Sequence, residues 1–385
     1  MSIRTNRSTG GAARRTVLVS GASIAGPAVA FWLRRYGFEV TVVEKAAGLR
    51  GGGYPIDVRG DAVEVVRRMG ILPRLRDAHL ASRRLTFLDA DGTAVAAVAP
   101  RAVGGGTDED VEVPRGELVR ALYEAVRDDV EFVFGDCAET LTDHAHGVDV
   151  TFRSGVRRGF DLVLGADGMH SGTRELVFGP EPPFRRHLGY CFALFALPNT
   201  LALSHEVLVW NTPGRAAALY AAGDSAALHA LLAFAHPEPP AEALRDPAAG
   251  RDLVTAAFAG AGWEIPAMVD ALRRADDPFF DTVSQIRMPG WSRGRVALLG
   301  DAAHAPSFLT GQGTSLALIG AQALAASLAA RTGHRAAFAA YEGGLRGLVE
   351  RTQARVDAGG SALFPATAEA LARRNERLRR TATAP

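Results

Sequence analysis

From Thr16 onward, short apolar runs alternate with helix-spaced stretches. Thr16–Ser20 is a β-rich apolar run. Ile24–Tyr36 then places Ile24, Ala28, Phe31 and Trp32 on one helical face. Pro27 falls in the first turn, where a missing N–H costs little, and Gly37 follows the last periodic residue as a helix terminator. Phe38–Val43 reads as the next strand. Glu44 closes it, 23 residues after Gly21. The pattern predicts a βαβ unit. Farther on, Leu162–Leu164 and Val296–Leu299 read as buried strands, and Thr314–Leu328 as an apolar helix.

A second sheet is predicted from a hairpin over Arg83–Val98, turning at Asp91-Gly92, and from strands at Arg185–Leu197, Glu206–Trp210 and Arg215–Ala222. Helices are expected at Leu253–Ala259, Ala267–Arg274 and Phe338–Ala358. Gly359-Gly360 and Pro365 should interrupt the last of these before a final helix over Ala366–Arg380. Arg101–Asp110 and Pro237–Pro247 read as connecting loops.

Composition narrows the picture. The chain has 385 residues, 48% of them hydrophobic, enough for more than one core. A formal net charge of +1 gives no support to a nucleic-acid surface. Lys45 is the sole lysine. Cys137 and Cys191 form no metal-ligand cluster and no disulfide framework, so no metal is expected and both read as reduced thiols in a cytoplasmic protein. Residues 1–15 are polar and basic, without the apolar core of a secretory signal, and read as a disordered tail. The apolar stretch Val17–Leu33 is broken by Gly21, Ser23, Gly26 and Pro27, which argues against a membrane span.

Three stretches carry candidate chemistry. Gly21-Ala22-Ser23-Ile24-Ala25-Gly26 occupies the place of a G-x-G-x-x-G fingerprint, with serine for the middle glycine. Gly21 permits the tight turn and Gly26 the close packing of helix on strand. The helix N-terminus offers free N–H groups to a pyrophosphate, and Glu44 can accept from ribose hydroxyls. Asp161–Arg174, "DLVLGADGMHSGTR", presents Asp167 on a tight loop at a strand end. Arg295–Leu316, "RVALLGDAAHAPSFLTGQGTSL", runs a strand into Gly300-Asp301 and brackets Gln312 between Gly311 and Gly313. These last residues open a helix and can aim backbone N–H groups at an electron-rich acceptor. His304 reads as a packing or capping residue.

Taken in order, the three stretches resemble the fingerprint, the DG motif and the GD motif of the class A flavoprotein monooxygenases, which share the para-hydroxybenzoate hydroxylase fold. The third is most similar to the subgroup of tetracycline-inactivating monooxygenases. The resemblance runs from Thr16 to about Gln353. It implies an α/β architecture: a Rossmann-like FAD-binding domain drawn from 16–72, 99–176 and 284–337, a β-sheet substrate domain from 73–98 and 177–283, and a bracing C-terminal helical segment from 338–385. It implies FAD as cofactor, held by Gly21, Ser23, Ile24, Ala25, Gly26, Glu44 and Lys45 at the adenosine and pyrophosphate end. Arg115 is expected at the ribityl–phosphate region, Asp301 at the ribityl or pyrophosphate portion, and Arg50 and Asp57 in the loop over the flavin. Pro306 is expected beside the reactive ring edge, with Gly311, Gln312, Gly313 and Thr314 against the pyrimidine side. Asp167 and Arg174 are expected as framework residues.

The implied reaction uses NAD(P)H as a transient co-substrate and proceeds through a flavin C4a-hydroperoxide, which hydroxylates, or inserts oxygen into, a bulky aromatic or polyketide-like small molecule. Flavin-edge backbone at Pro306 and Gly311–Gly313 is the expected catalytic element, with no side-chain acid–base pair. Phe192, Phe195, Trp210, Tyr220 and Phe308 are candidate pocket-lining residues. A monomer or weak homodimer is expected, with no nucleic-acid or membrane partner. Three other readings compete, one of them a pure nicotinamide dehydrogenase, which the yellow colour of bound FAD would discriminate. A flavoprotein that keeps FAD as a structural element and binds or cyclises its ligand fits the same motifs. A flavin-dependent halogenase fits less well, because "AGWEIP" has Ala261 where that class carries its first tryptophan.

Overall fold

The computed structural model describes residues 14–49 and 54–382. Arg50 and the Gly51–Gly53 run lie outside the described residues, as does most of the expected tail.

The first part of the chain runs β1 (Thr16–Ser20), α1 (Ala25–Arg35), β2 (Glu39–Glu44), β3 (Pro55–Val58), α2 (Asp61–Arg68), α3 (Leu72–Asp77), β4 (Arg84–Leu88), β5 (Ala94–Val98), α4 (Pro100–Gly104), β6 (Val111–Pro114), α5 (Arg115–Glu124) and β7 (Glu131–Phe134). It continues through β8 (Ala138–His144), β9 (Gly147–Phe152), β10 (Arg157–Phe160), β11 (Leu162–Gly165), α6 (Gly172–Phe178), β12 (Arg185–Pro198), β13 (Glu206–Thr212), β14 (Arg215–Ala221) and β15 (Ala227–Ala235). The rest is α7 (Pro247–Ala257), α8 (Ile265–Arg274), β16 (Phe279–Ile286), β17 (Ser292–Arg293), β18 (Val296–Leu298), α9 (Asp301–His304), a 3-10 turn (Phe308–Thr310), α10 (Gly313–Ala330), α11 (His334–Leu363) and α12 (Ala368–Ala382).

The predicted βαβ unit forms as read. β1 sits centrally in a six-stranded sheet ordered β17-β18-β11-β1-β2-β7 and pairs in parallel with β2 and β11. Val17, Leu18 and Val19 are fully buried, as expected of a strand covered on both faces. Helix α1 packs on α10, whose Leu316, Leu318, Ala321, Leu324, Ala325 and Leu328 belong to the same core. At about 1.5–3 kcal/mol for each fully buried leucine, this face anchors the sheet. By length and composition α10 could cross a membrane. Here half of it is buried against α1, α2 and α11.

The second sheet has seven strands in the order β16-β12-β15-β14-β13-β4-β5. Its two faces divide by residue parity. Cys191, Ala193, Phe195, Trp210, Ala217 and Leu219 enter one core beneath α7 and α8. Phe192, Leu194, Ala216, Leu231 and Ala233 face the other way, toward Phe308, Leu309 and Phe364.

Several expectations need correction. Strands β15 and β16 extend the second sheet beyond the predicted set, and β3, β6 and β7–β10 were not anticipated. Pro100–Gly104 is a short helix at the start of the expected Arg101–Asp110 loop. Gly359-Gly360 does not interrupt the long helix: α11 continues to Leu363 and stops short of Pro365. A glycine pair only weakens a helix, whereas proline removes a donor and clashes with the preceding turn. Both cysteines are free, Cys191 fully buried, and burial pushes its thiol up to about 12.

Candidate active site

At the fingerprint, both glycines are required by contact. A Cβ on Gly21, whose φ is +108°, would stand 2.5 Å from the Ala166 carbonyl oxygen. On Gly26 it would stand 1.8 Å from the Gly21 carbonyl oxygen. The serine in the middle position has a partner: Arg115 Nη2 donates to Ser23 Oγ at 2.6 Å. Arg115 opens α5, so this bond joins two helix N-termini. Ile24 at the N-cap of α1 provides no side-chain cap, so the first N–H groups of α1 remain available to a ligand. Glu44 already accepts from the Ala22 N–H and the Ala46 N–H, both at 2.9 Å, which orients its carboxylate. Lys45 beside it is exposed.

Asp167 is tied into its own loop. It accepts from Ser171 Oγ, from the Thr173 N–H at 2.9 Å and from Thr173 Oγ1 at 2.8 Å. Arg174 is buried and binds across motifs. Its guanidinium donates to the Ala302 carbonyl, the Met169 carbonyl and Glu181. It thereby pins the DG loop to α9, the helix that begins with Asp301.

Asp301 is solvent-accessible in a recess. Desolvation by the surrounding protein raises its carboxyl pKa, and Arg115 opposes the shift. Tyr54 is 37% exposed over the same recess. Burial raises its phenol, with Arg115 lowering it and Asp301 and Asp281 raising it. Asp301, Pro306 and Gly313 converge: a Cβ on Gly313 would lie 3.8 Å from Asp301 Oδ1 and 3.9 Å from the Pro306 ring. Gly311 adopts left-handed φ of +62°, and a Cβ there would face Asp57 Oδ2 at 3.5 Å. Asp57 pairs with Arg59 at 2.9 Å. Burial pushes its carboxyl up to about 6 against the pull of Arg59. The Arg59 N–H donates to Ser315 Oγ at 2.9 Å, which ties β3 to α10 just after Thr314. Gln312, the N-cap of α10, makes no side-chain cap, so the N–H groups of Gly313 and Thr314 stay open. Contrary to expectation, Gly311 and Gln312 offer none: the Gly311 N–H donates to the Phe308 carbonyl at 3.0 Å and the Gln312 N–H to Thr310 Oγ1 at 3.2 Å, which closes the turn.

The turn holding Pro306 is strained and clamped. Ser307 is buried with φ of +79°, a conformation costing about 1–3 kcal/mol for a non-glycine residue. Two buried glutamines hold it. Gln285 Nε2 donates to the Pro306 carbonyl at 3.2 Å and the Gln353 carbonyl at 2.8 Å. Gln353 Nε2 donates to the Ile286 carbonyl at 2.9 Å and the Ala305 carbonyl at 3.2 Å. His304 is buried against Trp291, with burial depressing its pKa to about 4, and serves packing as expected.

Of the pocket candidates, Phe192 and Phe308 meet with ring centroids 4.6 Å apart. Tyr220 shares the sheet face with Ala216 and Ala218. Phe195 and Trp210 do not join them. Both are buried on the opposite face, and Trp210 Nε1 donates to the Ala90 carbonyl at 3.1 Å. Sequence reasoning missed Tyr54, Arg59, Ser82, Glu112, His170, Asp281, Gln285 and Gln353. His170 was legible in principle, since it lies two residues after Gly168 in the same motif. It bridges Glu181 at 3.1 Å and Asp281 at 3.2 Å, and these hydrogen bonds, led by Asp281, push it up to about 9. No cluster of metal-ligating side chains occurs among the described residues.

A Rossmann cradle, two uncapped helix N-termini and an acid–arginine recess between them are suited to an extended dinucleotide. The donors and the close-packed glycines fit FAD. Residues 14–343 match the FAD binding domain family, and the chain belongs to it; the protein is a FAD-dependent monooxygenase. It is 43% identical over 346 residues to the uncharacterized protein Rv1260 of Mycobacterium tuberculosis (strain ATCC 25618 / H37Rv), covering 88% of this chain and 92% of that one. It is 38% identical over 340 residues to a flavin-dependent monooxygenase from an unknown prokaryotic organism, covering 88% of each. The crystal structure of tetracycline destructase Tet(55) matches at TM-score 0.84 and 36% identity, covering 96% of this chain and 97% of that one.

Proposed function

We propose that this monooxygenase uses NAD(P)H and O2 to place one oxygen atom on a bulky, mostly apolar aromatic or polyketide-like small molecule, in the cytoplasm. The convergence of Asp301, Pro306 and Gly313, close in sequence to the Phe308–Thr310 turn that Gly311 ends, carries this reading. Phe308, which opens that turn, packs on Phe192 and so brings an aromatic pair beside the polar residues. The tetracycline destructases Tet(51) and Tet(55) share the overall fold.

FAD, when bound, supplies electron transfer from the nicotinamide and activation of O2. The chain's own residues do the rest. Gly21–Gly26 and the α1 N-terminus hold the pyrophosphate. Glu44 and Lys45 hold the adenosine ribose end. Arg115, with Ser23, and Asp301 hold the ribityl–phosphate region. Gly313 and Thr314 would present N–H groups where negative charge develops on the ring. Gln285 and Gln353 fix the Pro306 turn. Phe192 and Phe308 exclude water from the reacting face. Asp57 and Arg59 keep the Gly311 turn in its left-handed form.

Stopped-flow mixing of the FAD-loaded protein with NADPH or NADH tests the proposal. Bleaching of the flavin absorbance, then reoxidation by O2 with consumption of an aromatic test compound, is expected. Failure of both nicotinamides to bleach the flavin, with and without that compound, overturns it in favour of a structural flavin.

A further inference from the structure

The Pro306 turn is held from the surface of the molecule as well as from within. Gln285, the last residue but one of β16, is fully buried, and both ends of its amide are engaged. Nε2 donates to the Pro306 carbonyl at 3.2 Å and to the Gln353 carbonyl at 2.8 Å. Oε1 accepts from Arg287 Nε at 2.8 Å. Arg287 lies just past the strand, where its backbone N–H donates to the Phe184 carbonyl at 2.8 Å, and it is exposed.

These partners fix which end of the amide is which. An amide NH2 only donates and an amide oxygen only accepts. Reversed, the oxygen would meet two carbonyl oxygens, and the NH2 would meet a guanidinium N–H. All three contacts would repel. In the observed sense all three are made. Without the Arg287 N–H, Oε1 becomes a buried acceptor with no partner. The amide then gains by swinging outward to water, into the space the arginine stem had filled. That motion draws Nε2 from the turn, and the longer bond, to Pro306, is lost first. The bond secures a strained stretch. Ser307 stands at φ +79°, the Thr310 N–H donates to its carbonyl at 3.2 Å, and Pro306 itself packs where Asp301 and Gly313 converge.

We propose that Arg287 is a positioning residue for the cofactor recess: from the surface its Nε–H orients Gln285, and Gln285 holds Pro306 and Ser307 in place. The inference needs only that the protein binds FAD. It stands apart from the choice of substrate or nicotinamide.

Two substitutions separate the hydrogen bond from the charge. Along the side chain, glutamine carries its amide nitrogen at the position of arginine Nε, and methionine carries a methyl there. Both lack the charge and the terminal nitrogens. Because Arg287 is exposed, neither opens a cavity. Hydrogen–deuterium exchange of the FAD-loaded protein, read by mass spectrometry, follows residues 307–312. In Arg287→Met that segment is expected to exchange about 10-fold faster, the weight of one lost hydrogen bond on a local opening. β1 and α10 should keep the parent's rates. Arg287→Gln should restore the parent's rate in the turn. The visible absorption band of bound FAD should change in Arg287→Met and return in Arg287→Gln, at equal flavin content. Unchanged exchange over 307–312 in Arg287→Met overturns the inference. Equal acceleration in both variants also overturns it, by assigning the effect to the charge. So does acceleration that reaches β1 and α10 equally, which marks a general loss of stability. An unaltered FAD band in Arg287→Met removes the link to the cofactor and sinks the proposal.

Discussion

Replacing Arg174 with methionine tests whether the DG and GD motifs are joined as the structure indicates. The substitution keeps a long apolar stem and removes the guanidinium fork. Nη1 donates to the Ala302 carbonyl at 3.0 Å, and Nη2 to the Met169 carbonyl and to Glu181, both at 2.7 Å. With the side chain only 1% exposed, water cannot replace those bonds. Each carbonyl left unpaired costs about 1–3 kcal/mol. Glu181 keeps His170 and Arg185, so the larger penalty of an orphaned buried charge does not arise. Part of the loss is offset, because the guanidinium is itself desolvated and its Nε has no partner. The net expectation is about 2–4 kcal/mol of lost stability. Urea denaturation of the apoprotein, followed by tryptophan fluorescence, measures it. Because Ala302 follows Asp301, FAD titration should also show about 10-fold weaker binding, equivalent to 1.4 kcal/mol. Arg174→Lys should recover little, since an ammonium cannot span both carbonyls and the carboxylate. A methionine variant within about 0.5 kcal/mol of the parent, with unchanged FAD affinity, would refute the reasoning.

Gly26→Ala should yield no FAD-loaded protein, because its Cβ would overlap the Gly21 carbonyl oxygen at 1.8 Å; flavin absorbance after purification decides this. Ser23→Gly restores the usual fingerprint but removes the acceptor of Arg115. FAD affinity should fall about 5-fold, the loss of one net hydrogen bond, with little change in melting temperature. His304 has a folded pKa of about 4, below its ordinary 6.5. The unfolded chain then takes up the proton first on acidification. Stability is fully present above pH 6.5 and is lost as pH falls toward about 4, and His304→Phe should flatten that part of a stability–pH curve. Asp57 has the opposite sign. Its carboxyl, raised from 3.8 to about 6, makes the folded state bind the extra proton, so stability falls as pH rises between those values. Asp57→Asn should remove that slope in denaturation midpoints taken across the interval.

The first βαβ unit was legible because every signal for it is local: a short β-rich run, helical spacing, proline in the first turn, glycine at the end. The three motifs were equally readable, since each lies within one strand–turn–helix passage. The pocket was less so. Phe192 and Phe195 sit on one strand three residues apart, and an odd spacing puts them on opposite faces. Only the packing of α7 and α8 decides which face is core, and nothing within β12 carries that information. Ser82, which bonds both Glu112 and Tyr220, joins three separate segments. Their meeting depends on β4 pairing with β13 and on β6 pairing with β3, both set by tertiary structure. Gln285 and Gln353 looked like ordinary polar residues on a strand and a helix. Their role appears only once α11 crosses the Pro306 turn.

The strand order β17-β18-β11-β1-β2-β7 also bears on how the protein can be made. On the ribosome, β1 and α1 emerge first. The neighbours that cover them, β11 and finally α10, arrive only as synthesis passes Leu162 and Ala330. Throughout that interval β1 has only β2 beside it, and an almost wholly apolar helix remains without α10. Such late, non-local pairing makes for slow folding and a nascent chain prone to aggregation. Truncations ending before α10 should therefore be recovered as insoluble, colourless material. The cofactor can enter only after α10 has left the exit tunnel.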